Sequence, residues 1–71
     1  MARSYRRILG ENIRRRRKRA GLTQEKLAEK ADLTYKYLGE VERGLVNVSL
    51  DSLMRLARAL RVRLRDLIRG I

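Results

Sequence analysis

The sequence predicts an all-α fold, a compact bundle of five helices, and three observations predict it. The chain has no proline and only five glycines in 71 residues, so few positions interrupt a helix. Its apolar residues recur at steps of three and four, the period of one helix face, and nowhere alternate for long as a half-buried strand would. Hydroxyl residues precede successive apolar stripes at Ser4, Thr23, Thr34 and Ser49, where a side-chain oxygen accepts from the free N–H groups of a first helical turn. The length predicts a single domain over residues 1–71 with a small core.

The first helix starts after Ser4 and runs to about Arg19. Tyr5, Leu9 and Ile13 are four apart and share one face, which Ile8 widens. Gly21 ends it. Thr23 caps the second helix; Lys26 stands where Glu or Gln would complete a capping box, so the cap is a simple one. Leu27, Ala28 and Ala31 face inward, Ala28 being small where two helices cross. Asp32 and Leu33 form a tight turn. Thr34 caps a third helix from Tyr35 to about Glu42, with Leu38 and Val41 inward, and Arg43-Gly44 stops it. Residues 45–48 form a loop. Ser49 caps the fourth helix, Asp51 suits its dipole, and Leu50, Leu53, Leu56, Ala57 and Leu60 make its apolar stripe. A fifth short helix, from about Leu64 to Arg69, carries Leu64, Leu67 and Ile68.

Composition narrows the chemistry. There is no cysteine and no histidine, which removes thiolate metal sites, disulfides and the commonest general base and metal ligand. No cofactor, metal or small-molecule ligand is expected, and an enzyme is the least favoured class. Nineteen Lys and Arg against eight Asp and Glu leave a net charge of +11, which favours a polyanionic partner, nucleic acid being the commonest. No apolar run approaches the roughly 20 residues of a membrane span. The Met1-Ala2-Arg3-Ser4 start is basic with no apolar region behind it, unlike a signal peptide. A reduced cytoplasm is the expected location.

The second and third helices carry the functional signal. Two short helices joined by a turn of about four residues must cross steeply, the helix-turn-helix pattern. Leu9-Gly10, Ile13 and Arg17 are followed by Gly21-Leu22-Thr23-Gln24-Glu25-Lys26-Leu27-Ala28, then by Tyr37-Leu38 and Val41-Glu42-Arg43-Gly44. Together with Ser49-Leu50, Leu53, Leu56-Ala57, Ala59-Leu60 and Val62, these residues resemble the Xre-like, lambda-repressor-like helix-turn-helix family. Glu42-Arg43-Gly44 with Asn47-Val48-Ser49-Leu50 looks most like controller proteins of restriction-modification systems. Two departures stand out: the family often has proline near Val48, and Gly39 lies mid-helix at a cost of about 0.8–1 kcal/mol relative to alanine.

The resemblance implies a transcriptional regulator that binds double-stranded DNA. Its third helix would enter the major groove, with Thr34, Tyr35, Lys36, Gly39 and Glu40 facing base edges. Lys36 suits guanine O6 and N7, and Glu40 suits cytosine N4. Tyr35 suits a thymine methyl or a phosphate, and Gly39 allows close approach of the helix backbone. Thr23, Gln24, Tyr37, Arg43, Gly44 and Asn47 are the expected DNA-backbone contacts. Gln24, at the start of the second helix, would donate its amide to a phosphate. Arg17 and Glu42 match residues that pair, which predicts a largely buried ion pair between the first and third helices. Of the unbroken cations at 14–19, only a subset can face DNA, because six helical residues go round the whole circumference. One such domain touches few base pairs, so a homodimer on a palindromic operator is expected, with Leu64, Leu67, Ile68 and Ile71 at its interface. RNA polymerase is a further candidate partner, through Glu25, Glu29 and Asp32. A phage-type repressor or an antitoxin-type regulator fits the same pattern. A basic RNA-binding protein would share the charge but usually presents more stacking aromatics. A cationic helix on a membrane surface is disfavoured by charges on every face and the lack of Trp and Phe.

Overall fold

Four hydroxyl side chains set the starts of four helices. In the computed structural model, which describes residues 4–71, the elements are α1 (Tyr5–Arg19), α2 (Gln24–Lys30), α3 (Tyr35–Glu42), α4 (Leu50–Leu60) and α5 (Leu64–Leu67). The Ser4 hydroxyl accepts from the Arg6 N–H, Thr23 from Lys26, Thr34 from Tyr37 and Ser49 from Ser52. α5 starts differently: the Asp66 carboxylate accepts from the Arg63 N–H at 2.9 Å. The expectation for Met1-Ala2-Arg3 lies outside the described residues, and no strand occurs among those described.

The ends follow from left-handed residues. Gly21 and Gly44 each have φ near 73° and close α1 and α3. α4 stops without glycine, at Arg61, whose φ of 58° lets the Val62 N–H reach back to Ala57 O. Asp32, at φ 56°, makes the turn between α2 and α3; Asp is among the few side chains that tolerate this region.

The core lies where all five helices meet. Ile13, Leu27, Leu38, Val41, Leu56 and Leu67 are its fully buried large side chains. Leu9, Ala28, Ala31, Ala57 and Leu60 complete it. α1 packs on α3, α4 and α5, while α2 packs on α3 and α4. Gly10 permits the closest of these crossings. A Cβ there would lie 2.4 Å from Val41 O and 2.6 Å from Glu42 O, so only glycine lets the last turn of α3 rest directly on α1.

Two expectations about the apolar stripes and one about a helix end need correction. Tyr5 is 59% exposed; it is the first residue of α1 and extends past the core rather than into it. Leu50 is 62% exposed. It precedes Leu56 by six residues, and at about 100° per residue that sets it about 120° away from the buried face of α4. Met54, one turn on, points outward with it. The fifth helix is shorter than expected and ends at Leu67. The segment beyond it is held from 55 residues away: the buried Asn12 amide donates to Leu67 O at 2.9 Å and to Arg69 O at 2.8 Å. That amide satisfies carbonyls left free at the end of the helix, and Gly70, at φ 87°, turns the chain away.

Candidate nucleic-acid interface

The turn after α2 is held by main-chain bonds, Asp32 N–H to Glu29 O and Leu33 N–H to Ala28 O. It delivers α3 with Leu38 and Val41 buried. The opposite face is therefore set outward by helical phase. Thr34, Tyr35 and Lys36 are exposed there, while Gly39 and Glu40 are half-buried. Tyr35 is 57% exposed. No atom lies within 4 Å of a Cβ placed on Gly39, so this glycine has no internal packing reason. An α-helix is about 10–12 Å across, which matches a major groove about 12 Å wide.

A buried ionic cluster fixes the far end of that rod. The Arg17 Nε–H donates to Glu42 Oε2 at 2.7 Å, and its Nη2 to Glu42 Oε1 at 3.1 Å. Arg17 Nη1 also donates to Leu22 O at 2.9 Å, in the segment that leads into α2. Gln24 Nε2 donates to Glu42 Oε1 at 2.9 Å. One carboxylate thus holds α1, the entry to α2 and α3 together. The bidentate fork satisfies both charges, a condition that burying them demands. The sequence resemblance implied the Arg17–Glu42 pair; Gln24 as its third member was not foreseen. One amide hydrogen of Gln24 is taken by Glu42, and the other has no partner among the described residues.

Around α3, the surface is concave and cationic. Gln24, Tyr35, Lys36, Gly39 and Arg43 line one hollow. Beside it a second hollow brings Arg14, Thr23, Gln24, Tyr35 and Arg43 together. Thr23 is exposed, Tyr37 is half-buried against the core and Asn47 is exposed. Arg43 is also exposed, with its Nε donating to Gly39 O. Gly44, expected at the DNA backbone, has no free amide to offer a phosphate. Its N–H is bonded to Val41 O at 3.0 Å, and a Cβ on it would lie 2.9 Å from Arg7 Cα. It is a helix terminator pressed against α1. The next amide, Leu45 N–H, is likewise bonded, to Glu40 O.

The expected C-terminal contact surface divides. Leu67 is fully buried within its own chain and is removed from that surface, because Asn12 and the α1 face draw it into the core. Leu64 is half-buried, while Ile68 and Ile71 are exposed. Sequence reading missed Leu50 and Met54 as exposed apolar residues; the phase count above would have found them. It also missed Asn12, three residues after Leu9 on the inward side, where a polar residue signals a buried hydrogen-bonding role.

A family model described as helix-turn-helix matches residues 13–67. This chain belongs to that helix-turn-helix family. Control protein C.BamHI of Bacillus amyloliquefaciens is 38% identical over 69 residues, covering 96% of this chain and 85% of the relative. Control protein C.SmaI of Serratia marcescens is 49% identical over 53 residues, covering 75% of this chain and 63% of the relative. Among solved structures, the restriction-modification controller protein C.AhdI from Aeromonas hydrophila superposes with a TM-score of 0.86 at 42% identity. That match covers 87% of this chain and 94% of the other. The lambda-repressor-like family read from residues 23–28 and 42–44 is borne out, and with it the five-helix fold. Among the described residues, no helix is long and apolar enough to cross a membrane, and no cluster of three or more candidate ligands could hold a metal ion.

Proposed function

We infer that this protein is a sequence-specific, double-stranded DNA-binding regulator of transcription and serves as the controller of a restriction-modification system. The carrying observation is the outer face of α3. It is polar, exposed at Thr34, Tyr35 and Lys36, flattened by Gly39, and its far end is fixed by the Arg17–Glu42–Gln24 cluster. Similarity to a control protein over 96% of the chain and to a restriction-modification controller protein over 87% of it supports the biological setting.

In this reading Lys36 donates to guanine O6 and N7, and Glu40 accepts from cytosine N4. Thr34 and Tyr35 meet the neighbouring bases, and Gly39 removes the side chain that would hold the backbone off the groove floor. Thr23, the free N–H of Gln24, Arg43 and Asn47 hold the sugar-phosphate backbone, with Tyr37 supporting them from the core. The chain acts as one DNA-binding domain and pairs with a second copy to read two half-sites. Leu64, Ile68 and Ile71 form the pairing surface. RNA polymerase is met through Glu25, Glu29 and Asp32, the protein works in the cytoplasm, and it catalyses no reaction.

Selection of bound duplexes from a random pool tests this. The expected result is an enriched sequence with two-fold symmetry, its half-sites centred about 10–10.5 base pairs apart, one helical turn. Recovery of sequences no different from the input would contradict it. So would displacement of the selected duplex by structured RNA at equal concentration.

A further inference from the structure

The cations at 14–19 look alike in sequence, but the fold gives them different surroundings. Arg15 Nη1 donates to Asn12 Oδ1 at 3.2 Å. Arg16 Nη2 lies 3.7 Å from Asp66 Oδ1, and Arg17 is buried on Glu42. Lys18 and Arg19 are exposed at the C-terminal end of α1, where positive charge complements the helix dipole. Arg14 is exposed and has no carboxylate partner among the described residues. It lines the hollow shared with Thr23, Gln24, Tyr35 and Arg43. It also lines an adjoining hollow with Arg7, Glu11, Glu42 and Arg43, where Glu11 lies 4.0 Å from Arg7 and Glu42 is held by Arg17.

We propose that Arg14 is a DNA-backbone contact, holding a phosphodiester oxygen together with Arg43 on the flank of α3. The proposal rests on the DNA-binding reading and deepens it, by carrying the track of the bound strand from α3 onto α1. Two guanidinium groups without a carboxylate partner among the described residues line one concave surface, where like charges repel until an anion enters between them. The one buried carboxylate there, Glu42, is already bound by Arg17 and Gln24, and Glu25 is the only other carboxylate lining the larger hollow. Tyr35 and Gln24 border both this hollow and the one along the outer face of α3. The occupant is thus continuous with whatever lies against α3, and a strand whose bases meet α3 has its phosphates alongside.

The test compares Arg14→Gln with Arg19→Gln in the full chain, two exposed positions carrying the same change in charge. Binding to the selected duplex and to a scrambled one is followed from 50 to 200 mM salt. Loss of one phosphate contact lowers the magnitude of the slope of log K against log salt by about 0.9 per bound protomer. The affinity deficit of Arg14→Gln against wild type then shrinks about 3.5-fold per bound protomer across that range, about 12-fold for a pair, on both duplexes alike. Arg19→Gln keeps the wild-type slope. Equal slopes for wild type and Arg14→Gln, or identical behaviour of the two variants, overturn the Arg14 assignment and leave DNA binding standing. Failure of the wild type to bind any duplex overturns the DNA-binding reading itself, and this contact with it.

Discussion

Glu42 illustrates how much of the interface hangs on one side chain. It is buried at the end of α3 and accepts from Arg17 twice and from Gln24 once. Replacing it with alanine strands a buried guanidinium, and loss of one partner of such a pair costs about 3–5 kcal/mol. A chain of this size has only about 4–11 kcal/mol of total stability, so Glu42→Ala is expected to lower the urea midpoint severely. Arg17→Met with Glu42→Leu removes both charges and should recover much of that loss; a double variant less stable than either single one would contradict the account. The Arg17–Glu42 pair was legible through family resemblance. Gln24 was not, because a first-turn glutamine looks solvated until the turn folds it back 18 residues along the chain. Gly10 was equally opaque as a packing residue: its lack of a side chain matters only because Val41 and Glu42 carbonyls lie against it.

At the scale of the element, α3 is a helix weakened on purpose for its surface. Gly39 costs it about 0.8–1 kcal/mol relative to alanine, and the open space around a Cβ there means that alanine would fit. Gly39→Ala is therefore expected to raise stability by about that amount in urea unfolding and to weaken operator binding at the same time. Stability and affinity rising together would show that no surface approaches this position. Helix starts were legible because a hydroxyl cap acts within three residues of its own position, as at Thr23 and Thr34. The end of α5 was not legible, because the group that caps its last carbonyls, Asn12, comes from α1. The stop at Arg61 carried no local signal either, since a left-handed arginine is held there by the surrounding fold and not by its own preference.

For the whole molecule, α1 is the beam that joins the two ends. Gly10 and Arg17 hold α3 on it, and Asn12 and Arg16 hold the C-terminal segment. Ile68 and Ile71 are exposed apolar residues at the C-terminal end and form the pairing surface in the proposed reading, whereas Leu67 is buried and cannot. Ile68→Lys should thus keep the fold and sediment as a monomer, with a loss of operator affinity that protein concentration partly restores. A variant that still sediments as the wild type does would move the contact elsewhere, with Leu50 and Met54 the next exposed apolar residues on α4.

Whether the outer face of α3 occupies the major groove is decided most directly by dimethyl sulfate probing of the selected duplex, because the reagent methylates guanine N7 in that groove and adenine N3 in the minor one. Wild type should protect guanine N7 in each half-site, and Lys36→Ala should uncover one guanine per half-site while costing about 1–3 kcal/mol of discrimination there. Protection confined to adenine N3, or a guanine pattern that Lys36→Ala leaves unchanged, would contradict the placement of α3.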